Sequence, residues 1–351
     1  MISAANILDA YTRPGRLYRR RGEGLDCYAC AHRCHIRPGR SGACKVRSNR
    51  DGELYVPWGY VSAAHVDPVE KKPFFHLLPG ARAFTFGMLG CNFHCSFCQN
   101  WDTSQVLRDE AASGSAGYIQ PVTPQQLADL AVRYGAPLLV SSYNEPLITA
   151  EWAMDVFAAG QERGLRCAMV SNGYATPEVL AELKPYLTAY KVDLKTLQPA
   201  HYRELGGRLQ PVLDSIRAAH ELGLWEEVVT LVIPGFNDSL EELAGMAEFL
   251  VSVSPDIPWH LTAFHPDYRM TDPPPTPAAA LQKGAQIGRK AGLRFVYAGN
   301  LPGQLGKLED TRCPGCGALL VRRRGFRIVE RRVTPQGACP DCGAAVPGVW
   351  A

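Results

Sequence analysis

From about residue 81 to 300, short apolar runs with strand character alternate with segments patterned as helices. This alternation constrains the fold more than any other feature, because parallel neighbouring strands need crossover connections rather than tight turns. The strand candidates are Ala83–Met88, Pro137–Ser141, Arg166–Val170, Ala189–Leu194, Glu227–Ile233 and Trp259–Phe264, with Arg294–Ala298 as a seventh. Helix starts are marked between them. Thr123-Pro124-Gln125-Gln126 offers a cap residue, proline at the first helical position and glutamine at the third. Ser239-Leu240-Glu241-Glu242 reads as a capping box, and Thr176-Pro177 and Thr276-Pro277 place proline just inside a helix. The expected fold is α/β: a closed or partly closed barrel of six or seven units, with an open doubly wound sheet as the alternative.

Unusual polar residues collect where these strands end. Cys91 follows the first strand, Asn144-Glu145-Pro146 the second and Ser171-Asn172-Gly173 the third. Asp193 and Lys195 end the fourth, Pro234-Gly235 follows the fifth and His265 the sixth. Any one set reads equally well as a loop polar group or a helix cap. Six sets at one rim point to an active site, since barrel enzymes build theirs at the C-terminal ends of the strands.

Bulk properties exclude several function classes. A net charge of +3 is too small to argue for nucleic-acid or membrane binding. The runs Arg19-Arg20-Arg21 and Arg322-Arg323-Arg324 read as solvated faces. No stretch reaches the roughly 18 apolar residues of a membrane span. Asn6, Asp9 and Arg13 fall where a secretion signal would need an apolar core, so a cytoplasmic protein is expected. Disulfides are rare in that compartment, yet the chain has 12 cysteines. All but Cys167, which reads as a small core residue, fall into three tight groups, as metal ligands do.

Cys91, Cys95 and Cys98 have the spacing C-x3-C-x2-C. Three thiolates from one loop can hold three corners of a cubane iron–sulfur cluster and leave the fourth iron open, as a catalytic site requires. A zinc reading needs a fourth ligand, which His94 could supply. Cys27, Cys30, Cys34 and Cys44 suit either a tetrahedral zinc or a second Fe–S cluster; the spacing decides neither, and a structural metal knuckle is the favoured reading. Cys313/Cys316 and Cys339/Cys342 form two C-x2-C turns 22 residues apart, around a β-ribbon of Leu319–Arg324 and Phe326–Val333. They read as a zinc ribbon, with rubredoxin-like iron as the alternative. The expected organisation is an N-terminal extension with a four-Cys knuckle (1–79), a barrel (80–305) and a C-terminal ribbon (306–351).

A three-cysteine loop of this spacing after the first strand of an α/β barrel resembles the radical S-adenosylmethionine (SAM) superfamily over roughly residues 80 to 300. The fold implied is a partial (β/α)6-type barrel. The cofactors implied are a 4Fe–4S cluster on Cys91, Cys95 and Cys98, and SAM chelated to its open iron. Asn144-Glu145-Pro146 is similar to the motif whose glutamate meets the SAM amine; Tyr143 and Asn144 stand where the family usually has two glycines. By similarity to glycyl-radical-enzyme activases, Ser171, Asn172, Asp193, Lys195, Pro234 and His265 are SAM contacts. Lys195 would meet the carboxylate and Asp193 the amine or ribose, while Phe97 would lie near the adenine. The run Gly90–Trp101, Tyr143–Pro146 and the N-terminal cysteines look most like the radical SAM member of the AmmeMemoRadiSam system, whose relatives are often described as pyruvate formate-lyase activase-like. That resemblance implies a flavodoxin or ferredoxin as electron donor, and Memo-like and AMMECR-like partners. The four-Cys N-terminal group departs from the simple activase. A rival reading from another class is a non-catalytic iron/zinc module that binds RNA or a protein, and a third is an electron carrier with three metal centres.

Overall fold

An eight-stranded sheet organises the computed structural model, which describes residues 4–351. Its strands are β1 (Ala63–Pro68), β2 (Arg82–Gly87), β3 (Leu138–Ser141), β4 (Arg166–Ser171), β5 (Ala189–Asp193), β6 (Trp225–Val232), β7 (Trp259–Ala263) and β8 (Val296–Gly299). They lie in sequence order across the sheet. β2 to β8 are parallel throughout, and β1 pairs antiparallel with β2 from Ala63↔Gly87 to Pro68↔Arg82. The two edges do not pair with each other, so the barrel is partial. All seven strand candidates are present with ends shifted by up to two residues. β1 is an addition: its Ala-Ala-His-Val-Asp-Pro run is half-exposed on both faces and carries neither alternation nor an apolar run.

Helices α1 (Pro124–Arg133), α2 (Ala150–Gln161), α3 (Pro177–Leu183), α4 (Leu209–Glu221), α5 (Leu240–Val253) and α6 (Ala278–Ala291) make the crossovers. α1 buries Leu127, Ala128 and Ala131 at helical spacing, and Thr123 with Gln126 forms the complete capping box. Thr176 caps α3. Two caps differ from expectation. Ser239 accepts from the Glu242 amide, but the Glu242 carboxylate turns away to the loop after β5, accepting from Thr196 Oγ1 (2.6 Å) and the Leu197 amide (2.7 Å). Thr276 does not cap α6. Its hydroxyl accepts from the Phe264 amide (2.9 Å) and donates to the Val232 carbonyl (2.5 Å), tying the ends of β6 and β7 together.

Two three-stranded sheets precede β1, and the turns between their strands carry Cys30, Cys34 and Cys44. This region is pinned to α2 by a buried ion pair: Arg47 donates to the Glu151 carboxylate at 2.7 and 2.8 Å and to the Ile148 carbonyl at 3.1 Å. After β8 come three antiparallel strands, Thr311–Arg312, Leu319–Arg324 and Arg327–Arg331. They and residues 345–351 close the N-terminal end of the sheet, with Val349 bonded to His76 and Leu78, and Arg166 at the start of β4 reaching the Ala351 carbonyl. Arg323 corrects the expectation of a solvated basic run. Arg322 and Arg324 are exposed, but Arg323 is buried, lies over the Phe75 ring at 4.1 Å and donates to the Phe75 carbonyl (2.7 Å) and Thr311 (2.8 Å). Beneath the barrel, Glu227 accepts from the Phe75 and His76 amides and lies 2.6 Å from His260 Nε2; His76 in turn meets Tyr297 at 2.6 Å.

Candidate active site

The site grows from the loop after β2. Gly90 has φ +95°, and a Cβ there would lie 2.9 Å from Val46, so glycine lets the loop approach the N-terminal region. Arg108 then clamps the loop, donating to the Cys91 carbonyl (2.8 Å) and to the Ala43 carbonyl beside Cys44. Gln105 holds the Phe93 carbonyl, and the Gly90 amide donates to Thr103. These ties fix the backbone that carries Cys91, Cys95 and Cys98. Burial pushes the Cys95 thiol up to about 12 and raises Cys91 well above the ordinary thiol range, with Glu145 and Cys95 adding to the effect at Cys91. Such thiols ionise readily only when a cation or metal compensates. His94, the alternative zinc ligand, is exposed and packs on Gly206.

Glu145 lies at the end of β3, almost fully buried. Its carboxylate accepts from Ser171 Oγ (2.7 Å), the Asn172 amide (2.8 Å) and the Leu147 amide (3.0 Å). Burial nevertheless raises it to about 7. Asn172 donates from its side chain to Asn92 Oδ1 at 2.8 Å, linking the Glu145 cradle to the cysteine loop. Tyr143 has φ +71°, a left-handed conformation that accounts for glycine being the usual residue there. Asn144 accepts from the Met88 amide at 3.0 Å, so its side chain braces the end of β2.

Across the rim, Asp193 meets Lys191 at 2.7 Å and Lys195 at 3.2 Å. Desolvation opposes its charge, but the two lysines outweigh it and hold Asp193 at about 2. The Lys195 ammonium lies 6.0 Å from the centre of the Phe97 ring, which packs edge-on against Phe236. Pro234 is half-buried, and His265 is exposed with Nε2 3.0 Å from Gln99 Nε2. Sequence reasoning missed three positioning residues. Asn92 bridges to Asn172, and Arg108 clamps two carbonyls 48 residues apart in the chain. Buried Asn237 accepts from the Ile233 amide and donates to the Lys195 and Leu231 carbonyls, joining the loops after β5 and β6. An Asn two residues after Pro-Gly was the only signal for the last.

Residues 86–250 match the family model described as the radical SAM superfamily. The chain belongs to this superfamily. A Methanocaldococcus jannaschii protein named as uncharacterized protein MJ0808 is 36% identical over 324 residues, spanning 91% of this chain and 94% of that one. The choline trimethylamine-lyase activating enzyme of Oleidesulfovibrio alaskensis is 29% identical over 107 residues, 30% of this chain and 34% of its own length. The pyruvate formate-lyase-activating enzyme of Streptococcus mutans is 23% identical over 181 residues, 49% of this chain and 66% of its own. The chain thus spans between a third and two-thirds of these activating enzymes. It is a radical SAM enzyme of the activating-enzyme-like kind, and the family implies SAM and a 4Fe–4S cluster.

The three cysteine groups differ in geometry. Among the described residues, the sulfurs of Cys313, Cys316, Cys339 and Cys342 all lie within 4.8 Å of one another, a set able to hold a metal ion. Cys313 and Cys342 are 3.6 Å apart, and Cys316 and Cys339 are 3.8 Å apart. A tetrahedron with metal–sulfur bonds of about 2.3 Å has sulfurs about 3.8 Å apart, so the spacing suits one ion. No helix of the described residues is long and apolar enough to cross a membrane.

Proposed function

We propose that the enzyme reductively cleaves SAM at a cluster held by Cys91, Cys95 and Cys98. The single observation that carries this reading is the join between Glu145 and the cysteine loop, through the 2.8 Å Asn172–Asn92 bond. It sets a buried carboxylate near Cys91, in a loop whose backbone is clamped. When bound, the cluster and SAM would supply the one-electron chemistry, and the 5′-deoxyadenosyl radical, that this reading requires for hydrogen abstraction from the substrate.

The chain's own groups would do the rest. Glu145, raised to about 7 by burial, ionises fully against the SAM ammonium, a charge-assisted hydrogen bond. Ser171 and Asn172 hold that carboxylate in place. Lys195 would take the SAM carboxylate, and Asp193 keeps Lys195 charged and oriented. Phe97 and Phe236 offer an apolar wall for the adenine, with Pro234 and His265 closing the rim. Asn144 would act by bracing β2 rather than by direct contact. Residues 1–79, 80–305 and 306–351 would serve as cysteine extension, catalytic barrel and ribbon, the last holding zinc at Cys313, Cys316, Cys339 and Cys342. A flavodoxin or ferredoxin would supply electrons. The kinship with activating enzymes favours a partner protein as substrate, activated as a glycyl radical, and Memo-like and AMMECR-like proteins are the partners to assay.

The test is anaerobic. Protein reconstituted with iron and sulfide, then given dithionite and SAM, should form 5′-deoxyadenosine above a Cys91→Ala/Cys95→Ala/Cys98→Ala control. Equal product in both would overturn the assignment. A glycyl radical signal in a co-incubated partner would support the activase version, and its absence from every partner assayed would remove it.

A further inference from the structure

The spacing of the N-terminal cysteines suits either a single zinc or a second cluster, and their placement in the fold favours the second. We propose that Cys27, Cys30, Cys34 and Cys44 hold a polynuclear iron–sulfur cluster, seated directly behind the catalytic loop. The inference rests on the reading of Cys91, Cys95 and Cys98 as cluster ligands, because those three serve as the internal standard.

Among the described residues one cysteine group has the spacing for a single ion, and it is tight: the four ribbon sulfurs fall within 4.8 Å of one another, with pairs at 3.6 and 3.8 Å. Among the described residues, no three sulfurs of the N-terminal group meet that limit, and neither do Cys91, Cys95 and Cys98. A single ion needs every pair of its thiolates about 3.8 Å apart. A cluster gives each iron its own thiolate and spreads them wider. The N-terminal four are therefore built like the catalytic trio and unlike the ribbon.

Enclosure separates them in the same way. Cys27, Cys30 and Cys44 are buried and Cys34 is half-buried, whereas Cys316 and Cys342 of the ribbon are exposed. The site is also wired into the catalytic loop by its backbone. Arg108 bonds the carbonyls of Ala43 and Cys91 together, and His32 Nε2 lies 3.0 Å from the Asn92 carbonyl. Asn92 stands in the wall between the two cysteine groups, its side-chain oxygen accepting from Asn172 at 2.8 Å and its side chain hydrogen-bonded toward the Cys30 thiol. Arg47, buried beside this group, supplies a fixed positive charge for thiolates withdrawn from water.

Acid-labile sulfide decides the matter, because neither zinc nor rubredoxin-like iron brings any. The full chain and its Cys91→Ala/Cys95→Ala/Cys98→Ala variant are reconstituted anaerobically with iron and sulfide, and folding is checked by circular dichroism. The triple variant should keep about half of the wild-type sulfide and a cluster absorbance band. Adding Cys27→Ala and Cys30→Ala should abolish both. A folded triple variant with no labile sulfide, beside a wild type that has it, overturns the proposal and leaves the SAM cluster intact. Sulfide unchanged by the triple substitution would instead sink the catalytic assignment and, with it, the internal standard on which this proposal rests. Should the five-fold variant fail to fold, zinc analysis replaces it: two zinc ions per triple-variant chain would also overturn the proposal.

Discussion

Replacing Arg47 with methionine isolates the electrostatics of the joint between the N-terminal region and the barrel. Both side chains of the Arg47–Glu151 pair are 2% exposed. Removing one partner of a buried pair costs about 3–5 kcal/mol, because the other charge is left stranded. Glu151 keeps two backbone donors, the Arg16 amide at 3.2 Å and the Leu17 amide at 3.3 Å, which places the expected loss near the lower end, about 3 kcal/mol. At about 2 °C per kcal/mol for a chain of this size, the midpoint should fall by about 6 °C. Burial opposes the Glu151 charge in the native protein, but Arg47 outweighs it and holds the carboxyl below its ordinary value. Its stabilising contribution is therefore complete above the unfolded pKa of about 4.3, and is lost as pH falls through the lower folded value. In Arg47→Met burial is opposed only by the backbone donors, so the folded pKa rises and the sign reverses: the deficit is largest at high pH and shrinks toward pH 5. Arg47→Met/Glu151→Gln keeps an acceptor for both amides without the charge, and should recover about 2 kcal/mol at neutral pH. Anaerobic urea unfolding of the wild type and these two variants, at several pH values, measures all of this. A pH-independent deficit, or no recovery in the double variant, would refute the reasoning.

Glu145→Gln should weaken SAM binding about tenfold or more, the worth of a charge-assisted hydrogen bond, with cluster absorbance unchanged in the same titration. Asn237→Leu leaves the Ile233 amide and the Lys195 and Leu231 carbonyls unpaired; at about 1 kcal/mol or more each, urea unfolding should show a loss of at least about 3 kcal/mol, with weaker SAM binding. Cys316→Ser should remove one metal equivalent by elemental analysis and lower the thermal midpoint, while the folded fraction keeps its specific activity.

The alternation of strands and helices was legible because each parallel strand is a local apolar run, and the three-cysteine loop was legible because its cysteines are close in sequence. What escaped depends on distant partners. Ser239 and Glu242 have capping-box spacing, yet Glu242 serves a loop more than 40 residues away, where two donors compete for it. Thr276 precedes a proline as a cap should, but Phe264 and Val232 claim its hydroxyl. Arg323 sits in a basic run, and partners distant in sequence, Phe75 248 residues earlier among them, make its position interior. β1 has no pattern of its own because its register is set wholly by β2.

The floor of the barrel joins segments made far apart in time. His76 Nδ1 meets the Pro347 carbonyl across 271 residues. At translation rates of about 5–20 residues per second, about 15–55 s separate the synthesis of these two partners. All seven parallel strands and the three-cysteine loop have been made before residues 345–350 exist to seal the underside. Synthesis is therefore ordered: every residue of the rim, the three-cysteine loop included, is made while the segment that closes the base is still missing.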